Sequence, residues 1–231
     1  MVWKGREVAA GMQVGIIGGT GPAGRALAVR LAASGASVLL GSRSAERADG
    51  AARELVASWP DHPLELTGVT NEAAARAGIA VLATPWDGAL PAVAGLADAL
   101  AGKVLVSMVN ALTRMGREFQ ALVPVRGSIA ATVQAALPAT MVTAAFQHLP
   151  AGALAAIDQG LDADVLVCAD DPGAAEATVR LVGVVPGLRG VVAGTLASAN
   201  AVEALTAVLL NVNIRYKSHV ALRLTGLHGE A

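Results

Sequence analysis

The sequence predicts an α/β protein: a doubly wound, mostly parallel sheet with a smaller, helix-rich C-terminal part packed against it. Three observations predict it. Short continuous apolar runs alternate with longer Ala/Leu-rich segments, as expected of strands buried on both faces and joined by helices. The first run leads through a glycine cluster into a helical pattern, "QVGIIGGTGPAGRALAVRL". Apolar residues make up 54% of the 231 residues and charged ones only 15%, enough to cover both faces of a sheet.

Strand-like runs lie at 13–17, 37–40, 64–67, 79–83 and 103–107, with helical patterns at 22–34, 44–58, 71–77 and 87–101 between them. The second part is less regular. It reads as a helix over 128–137, strands over 141–146 and 164–168, a helix to about 182, a strand over 189–193 and a long helical pattern over 196–224. Asp171-Pro172 has the form of an N-cap followed by a first helical residue. No Ser/Pro-rich linker separates the parts, so they are expected to pack intimately.

The bulk properties exclude several classes. A formal net charge of -1 without a basic block argues against nucleic-acid partners. Aromatic residues, at 3%, are too few for a base-stacking platform. The single cysteine, Cys168, excludes an internal disulfide and a multi-thiolate metal site and fits a reducing cytoplasm. Residues 1–11 read as a loose N-terminal extension without the apolar stretch of a signal peptide. Glu203, Thr206, Asn211 and Asn213 break the longest apolar stretch near the C-terminus, so no membrane span is expected.

The glycine cluster contains G-x-G-x-x-G as Gly19, Thr20, Gly21, Pro22, Ala23 and Gly24, directly after a strand and opening a helix. In that context the first glycine permits the tight turn, the second lets the backbone approach a pyrophosphate, and the third lets the helix pack against the strand. Pro22 sits where a missing N–H costs nothing. The open helix end offers N–H groups and partial positive charge to phosphates. The fold is thus of the Rossmann type, with residues 12–140 as the dinucleotide-binding domain and 141–231 as the C-terminal part.

An NAD-specific site places an acid at the end of the second strand. Here the chain reads "GSRSAER". Ser44 is a cap candidate that puts Arg47 in the first turn of the next helix, so Ser42, Arg43 and Arg47 can converge on a 2′-phosphate. The cofactor expected is therefore NADP(H). The fourth strand ends in Thr84, Pro85 and Trp86, a turn expected to border the cofactor. Trp86 either shields a bound ring or anchors a helix start on the core.

With these residues in hand, the chain resembles the F420-dependent NADP reductases from Met12 onward. The resemblance is carried by the order and spacing of "GGTGPAG", "GSRSAER", "VLATPW", "KVLVS", "FQHLPA", "DVLVCADD", "AGTLASANAVEALT" and "LLNVNIRYK". It implies reversible hydride transfer between NADPH and the 8-hydroxy-5-deazaflavin coenzyme F-420. It matches Thr20, Gly21, Pro22 and Ala23 to the phosphate loop and Ser42, Arg43 and Arg47 to the 2′-phosphate. It places Val109 and Asn110 on the nicotinamide side, although "SMVNALTR" lacks a proline often found there. The deazaflavin pocket matches Gln147, His148, Leu149, Pro150 and Ala151, and a ring-packing leucine matches Leu222. The C-terminal part, 141–231, then becomes the deazaflavin-binding and dimerisation part.

Such chemistry needs two rings held face to face and water excluded, with no catalytic nucleophile, metal or strong base. His148 is the one acid–base candidate, set against the plainer reading of a loop histidine satisfied by backbone. Arg215, Lys217 and His219 either meet the acidic tail of coenzyme F-420 or form a solvated helix face. The apolar residues Ala204, Leu205, Val208, Leu209, Leu210 and Val212 predict a homodimer interface. Two other readings stand beside this one: an NADPH-dependent reductase of a small carbonyl or imine, and a non-catalytic NADP(H) sensor.

Overall fold

The computed structural model describes residue 9 and residues 11–227. The expected extension over 1–11 lies outside the described residues except for Ala9 and Gly11.

The N-terminal half alternates β1 (Gln13–Ile17), α1 (Pro22–Ala33), β2 (Ser37–Ser42), α2 (Ala45–Ser58), β3 (Leu66–Thr70), α3 (Asn71–Ala75) and β4 (Ile79–Leu82). Two short helices, α4 (Ala89–Val93) and α5 (Ala97–Leu100), precede β5 (Val104–Ser107). The single helix expected over 87–101 is therefore broken, with Gly95 in the gap between its pieces. The third strand begins two residues later than the 64–67 run.

A hairpin absent from the sequence reading follows: β6 (Leu112–Met115) and β7 (Glu118–Ala121), paired antiparallel. Then come α6 (Ile129–Ala136), β8 (Met141–Ala144), the short α7 (Ala151–Ala155), β9 (Ala163–Ala169), α8 (Pro172–Gly183), β10 (Leu188–Gly194) and α9 (Ala199–Tyr216). The helical pattern over 196–224 stops early because Lys217 turns left-handed (φ 50°) and caps α9.

Eight strands form one sheet in the order β10-β9-β8-β5-β4-β1-β2-β3. From β3 to β8 every neighbour is parallel. β9 turns antiparallel to β8, and β10 runs parallel to β9. Thr143 pairs with Ala169 and Ala144 with Cys168, so the first residues of β9 extend past the carboxyl end of β8. The C-terminal part thus contributes strands as well as helices to the common sheet. Side chains alternate between two apolar clusters, as on β4, where Val81 joins one and Ala80 and Leu82 the other.

Three interactions fix the C-terminal elements. Arg30, 5% exposed near the end of α1, donates to five carbonyls: Leu154 (2.8 Å), Ile157 (3.4 Å), Gln159 (3.0 Å), Ala153 (2.7 Å) and Ala156 (2.7 Å). Burial lowers its pKa from the ordinary value, opposed by Asp158. The fully buried Asp164 on β9 holds the chain beyond α9. It accepts a two-pronged bond from Arg189 (2.8 Å each), a bond from Arg223 (3.1 Å) and the N–H of Leu224. The Arg189 hydrogen bonds, working against burial, hold the Asp164 carboxyl below its usual value.

The third is α9 itself. By length and composition, Leu196–Tyr216 is apolar enough to cross a membrane. Yet Glu203, Thr206, Asn211 and Asn213, which break its apolar run, are each bound by the protein. Glu203 accepts from the start of α6, and Thr206 bonds the Gln147 carbonyl. Asn211 both accepts from and donates to the Phe119 backbone, and Asn213 accepts from Val220.

The Arg30 cluster yields a stability prediction. Arg30→Met keeps the aliphatic stem but leaves buried carbonyls unpartnered, and is expected to cost more than about 3 kcal/mol in urea unfolding. A loss within about 0.5 kcal/mol of zero would show that the carbonyls are satisfied without the guanidinium.

Candidate functional site

The sheet order sets the frame. β1, β4, β5 and β8 are successive parallel neighbours, so the loops leaving their carboxyl ends lie side by side across three strand spacings, roughly 14 Å. Those loops carry the glycine turn, Thr84-Pro85-Trp86, Val109-Asn110 and the Gln147 segment. Sequence order had scattered them over 130 positions, from Gly19 to Leu149.

The first loop uses both of its adjacent glycines: Gly18 is left-handed (φ 70°), and a Cβ on Gly19 would lie 2.7 Å from the Leu40 side chain. The Gly18 N–H donates to Asn71 Oδ1 (2.9 Å), and that of Gly19 to the Gly41 carbonyl (2.9 Å), tying the turn to β2 and α3. A Cβ on Gly24 would lie 2.7 Å from Gly19, which is the close helix–turn packing expected of the third glycine. At Gly21 it would meet nothing within 4 Å, so the face of the turn is open.

Gly21 caps α1 without a side-chain bond, Pro22 follows, and the first turn carries no acid. By contrast α2, α3, α6 and α8 receive side-chain caps from Ser44, Thr70, Ser128 and Asp171. The start of α1 therefore presents uncapped N–H groups and its partial positive charge at the switch point of the sheet.

At the end of β2, Ser42 is buried while Arg43 and Arg47 are exposed. Ser44 Oγ accepts the Arg47 N–H (3.2 Å), placing Arg47 in the first turn of α2 as its sequence position suggests. Neither Arg43 nor Arg47 forms an ion pair among the described residues, whereas Arg25, Arg53, Arg76 and Arg180 each do. Thr20 and Arg47 line one open cleft of about 350 Å³ with Arg25, Gly50, Ala51 and Glu54. Phosphate loop and second-strand arginine thus face a common space.

Beyond β4, Thr84 Oγ1 is buried without a hydrogen-bond partner. Pro85 is exposed, and Trp86 begins a short 3-10 turn with 43% of its surface exposed.

The loops beyond β5 and β8 are joined by hydrogen bonds. Asn110 Nδ2 donates to the Gln147 carbonyl (2.8 Å), and Thr206 on α9 shares its hydroxyl proton between Asn110 Oδ1 (3.1 Å) and the same carbonyl (3.2 Å). Val109 is buried beside them in sequence. Phe146, fully buried, is held left-handed (φ 66°), a conformation costly for a bulky residue, and it turns the chain into Gln147.

Gln147 is 4% exposed, and neither its Oε1 nor its Nε2 has a partner. A buried amide lacking both a donor and an acceptor marks a site that a ligand or ordered water completes. His148 is satisfied at one nitrogen only: its Nε2 accepts the Leu166 N–H (3.1 Å), its Nδ1 is buried without a partner, and burial pulls its pKa down to about 4. It is a neutral ring bound to β9.

Leu149 and Pro150 line a cleft of about 390 Å³ with Gly152, Asp162, His219 and Ala221 among its walls. Ala151 starts α7. Leu222 is half-buried, and its carbonyl accepts the Asp164 N–H (2.8 Å); it adjoins this cleft in sequence without lining it. Arg215 and Lys217 stand exposed at the end of α9. The sequence reading missed Asn71, Thr206 and Glu203 as supports of the site. For the last two a signal existed, in polar residues interrupting an apolar helix.

An open α/β sheet whose uncapped glycine turn, unpaired arginines and orphaned amide share one edge defines a dinucleotide-binding fold of the Rossmann class. The comparisons narrow it. Residues 13–111 match the family model described as NADP oxidoreductase, coenzyme F420-dependent. Over 222 residues the chain is 34% identical to an F420-dependent NADP reductase of Methanocaldococcus jannaschii, covering 94% of this chain and 99% of that one. The counterpart in Methanothermobacter thermautotrophicus is 32% identical, covering 94% and 96%. The chain belongs to the F420-dependent NADP reductase family. A candidate F420-dependent NADP reductase from Arthrobacter sp. FB24, solved as a crystal structure, shares the fold: TM-score 0.75 at 24% identity, over 93% of this chain and 100% of that one.

Proposed function

We propose that this chain transfers a hydride reversibly between NADPH and the 8-hydroxy-5-deazaflavin coenzyme F-420. The observation that carries the reading, beside family membership, is the orphaned amide of Gln147 at the carboxyl edge of the nucleotide-binding sheet. The two bound molecules supply the hydride-donating and hydride-accepting carbons. The protein's residues bind, align and shield them.

In this reading the uncapped start of α1, with Gly19, Thr20, Gly21, Pro22, Ala23 and Gly24, receives the pyrophosphate. Arg43 and Arg47, with Ser42, hold the 2′-phosphate that separates NADPH from NADH. Thr84, Pro85 and Trp86 border the nucleotide, with Val109 and Asn110 on its nicotinamide side. The deazaflavin lies against Gln147, His148, Leu149, Pro150 and Ala151, with Leu222 in its wall. The Gln147 amide lacks one donor and one acceptor, the complement of a heterocycle edge that carries both. His148, neutral and bound to the Leu166 N–H, shapes the pocket and moves no proton.

Residues 12–140 form the nucleotide part and 141–231 the deazaflavin and dimer part of one reaction site. Cys168, fully buried and with its thiol pushed up to about 11, suits a cytoplasmic protein that stays reduced. The homodimer reading on α9 is supported by Val208 and Ile214, which remain 56% and 45% exposed.

Mixing the protein with NADPH and oxidised coenzyme F-420 is expected to bleach the deazaflavin absorbance. Intact NADPH binding without bleaching would favour the sensor reading instead. Arg47→Ala is expected to weaken NADPH binding roughly ten- to a hundred-fold with little change for NADH. Equal losses for both would remove Arg47 from the 2′-phosphate. Sedimentation at micromolar concentration is expected to give a dimer, and a monomer there would rule out the α9 interface.

A further inference from the structure

Glu203 is the buried ionisable group for which hydride transfer has no evident use. It sits on α9, 4% exposed, among apolar residues. Its two carboxyl oxygens accept the N–H groups of Ile129 (Oε2, 3.0 Å) and Ala130 (Oε1, 3.2 Å), the first residues of α6. Ser128 caps the next N–H, that of Ala131. A side chain 74 positions away in sequence therefore completes the end of α6, and in doing so fixes α9 in rotation and height.

Three residues further along α9, on the adjoining turn, Thr206 holds Asn110 Oδ1 and the Gln147 carbonyl. Residues three apart on a helix share a face, so a rotation or slide that breaks one grip moves the other. We infer that Glu203 is a positioning residue for the deazaflavin site, acting through α9 to set Thr206 and so the Asn110–Gln147 pair. The inference rests on the reading that the deazaflavin lies against the Gln147 segment.

The grip depends on protonation. Both oxygens accept only in the carboxylate; the acid keeps one acceptor and turns an O–H donor toward a second N–H donor. Burial pushes the Glu203 carboxyl up to about 7, the two backbone bonds opposing that rise. The surroundings supply little competing charge. From β9 comes the Cys168 thiol, from the turn after β9 Asp170, which accepts the Leu196 N–H, and from α6 only backbone N–H groups and the Ser128 hydroxyl. No cation pairs with Glu203 among the described residues. Site positioning thus strengthens as pH rises through about 7. Stability runs the other way: the folded value lies above the unfolded one, so this group's contribution is complete below the unfolded value and lost as pH rises through the folded one.

The test compares wild type with Glu203→Gln, measuring deazaflavin Kd by fluorescence at pH 8 and pH 6. The ratio of the two Kd values cancels any titration of the ligand. It is expected to be about tenfold at pH 8, the equivalent of one lost hydrogen bond, and near one at pH 6. In ligand-free wild type, amide exchange at Ile129 or Ala130 is expected to lose protection between pH 8 and pH 6. That measurement needs no variant and stands even if Glu203→Gln fails to fold. Combining Glu203→Gln with Thr206→Val is expected to weaken binding no further than Thr206→Val alone.

A ratio near one at pH 8, or tenfold at both pH values, overturns the inference, as does unchanged protection at both amides. Wild type that binds no deazaflavin at either pH overturns instead the site reading beneath it, a failure recognised by the absence of any Kd.

Discussion

The fold turns on a guanidinium that pairs with no carboxylate among the described residues. Arg30 leaves α1 and collects five backbone carbonyls from residues 153–159, the short α7 and the turn after it. Those carbonyls would otherwise be the unsatisfied end of a five-residue helix, too short to persist alone in water. Arginine suits the role because its planar fork presents five donors at fixed angles, where a lysine ammonium has three on a mobile stem. The result is a rigid link between the helix that opens at the glycine turn and the segment that follows Gln147. Bound rings face to face need that rigidity, since small misplacements of reacting atoms carry large kinetic penalties.

Around that link the molecule uses polar groups sparingly and over long sequence distances. The dinucleotide half is held by local means: caps at Ser44 and Thr70, a left-handed glycine, crossovers between parallel strands. The other half is held by Asp164 gathering Arg189, Arg223 and the Leu224 N–H, and by Glu203, Thr206, Asn211 and Asn213 of α9. The reversal between β8 and β9 separates the two styles. It ends the parallel winding, and it carries β9 past the edge where the loops converge, giving the C-terminal segment a surface to bind along.

That contrast explains what the sequence disclosed. The parallel strands, the G-x-G-x-x-G turn, the Ser44 and Asp171 caps and the acid-free end of β2 are local patterns, and all were legible. The left-handed role of Gly18 is not legible, because "GGTG" offers adjacent glycines and the contact with Asn71 is what turns the first of them. The hairpin at 112–121 escaped notice: its strands are four residues long and their alternation is diluted by Arg114 and Met115. The final helix was drawn too long since nothing local stops it; Lys217 turns left-handed where the Asn213 side chain receives the returning Val220. The partners of Arg30, Glu203 and Thr206 are not legible, as each lies 59 or more residues away, although the polar interruptions of an apolar helix single out the last two residues themselves. Assigning Gln147 to a deazaflavin likewise rested on resemblance to a family, not on the residues alone.

The uncapped start of α1 has a consequence for the protein's life in a cell. A helix end left with unsatisfied donors is a standing weakness in the empty chain, and any anion that satisfies it binds the folded form alone. Folding and nucleotide supply are thereby coupled by mass action. At a hundred times the dissociation constant the occupied fold gains about 2.7 kcal/mol. With nucleotide bound there as proposed, opening and the proteolysis that follows it become rarer as occupancy rises.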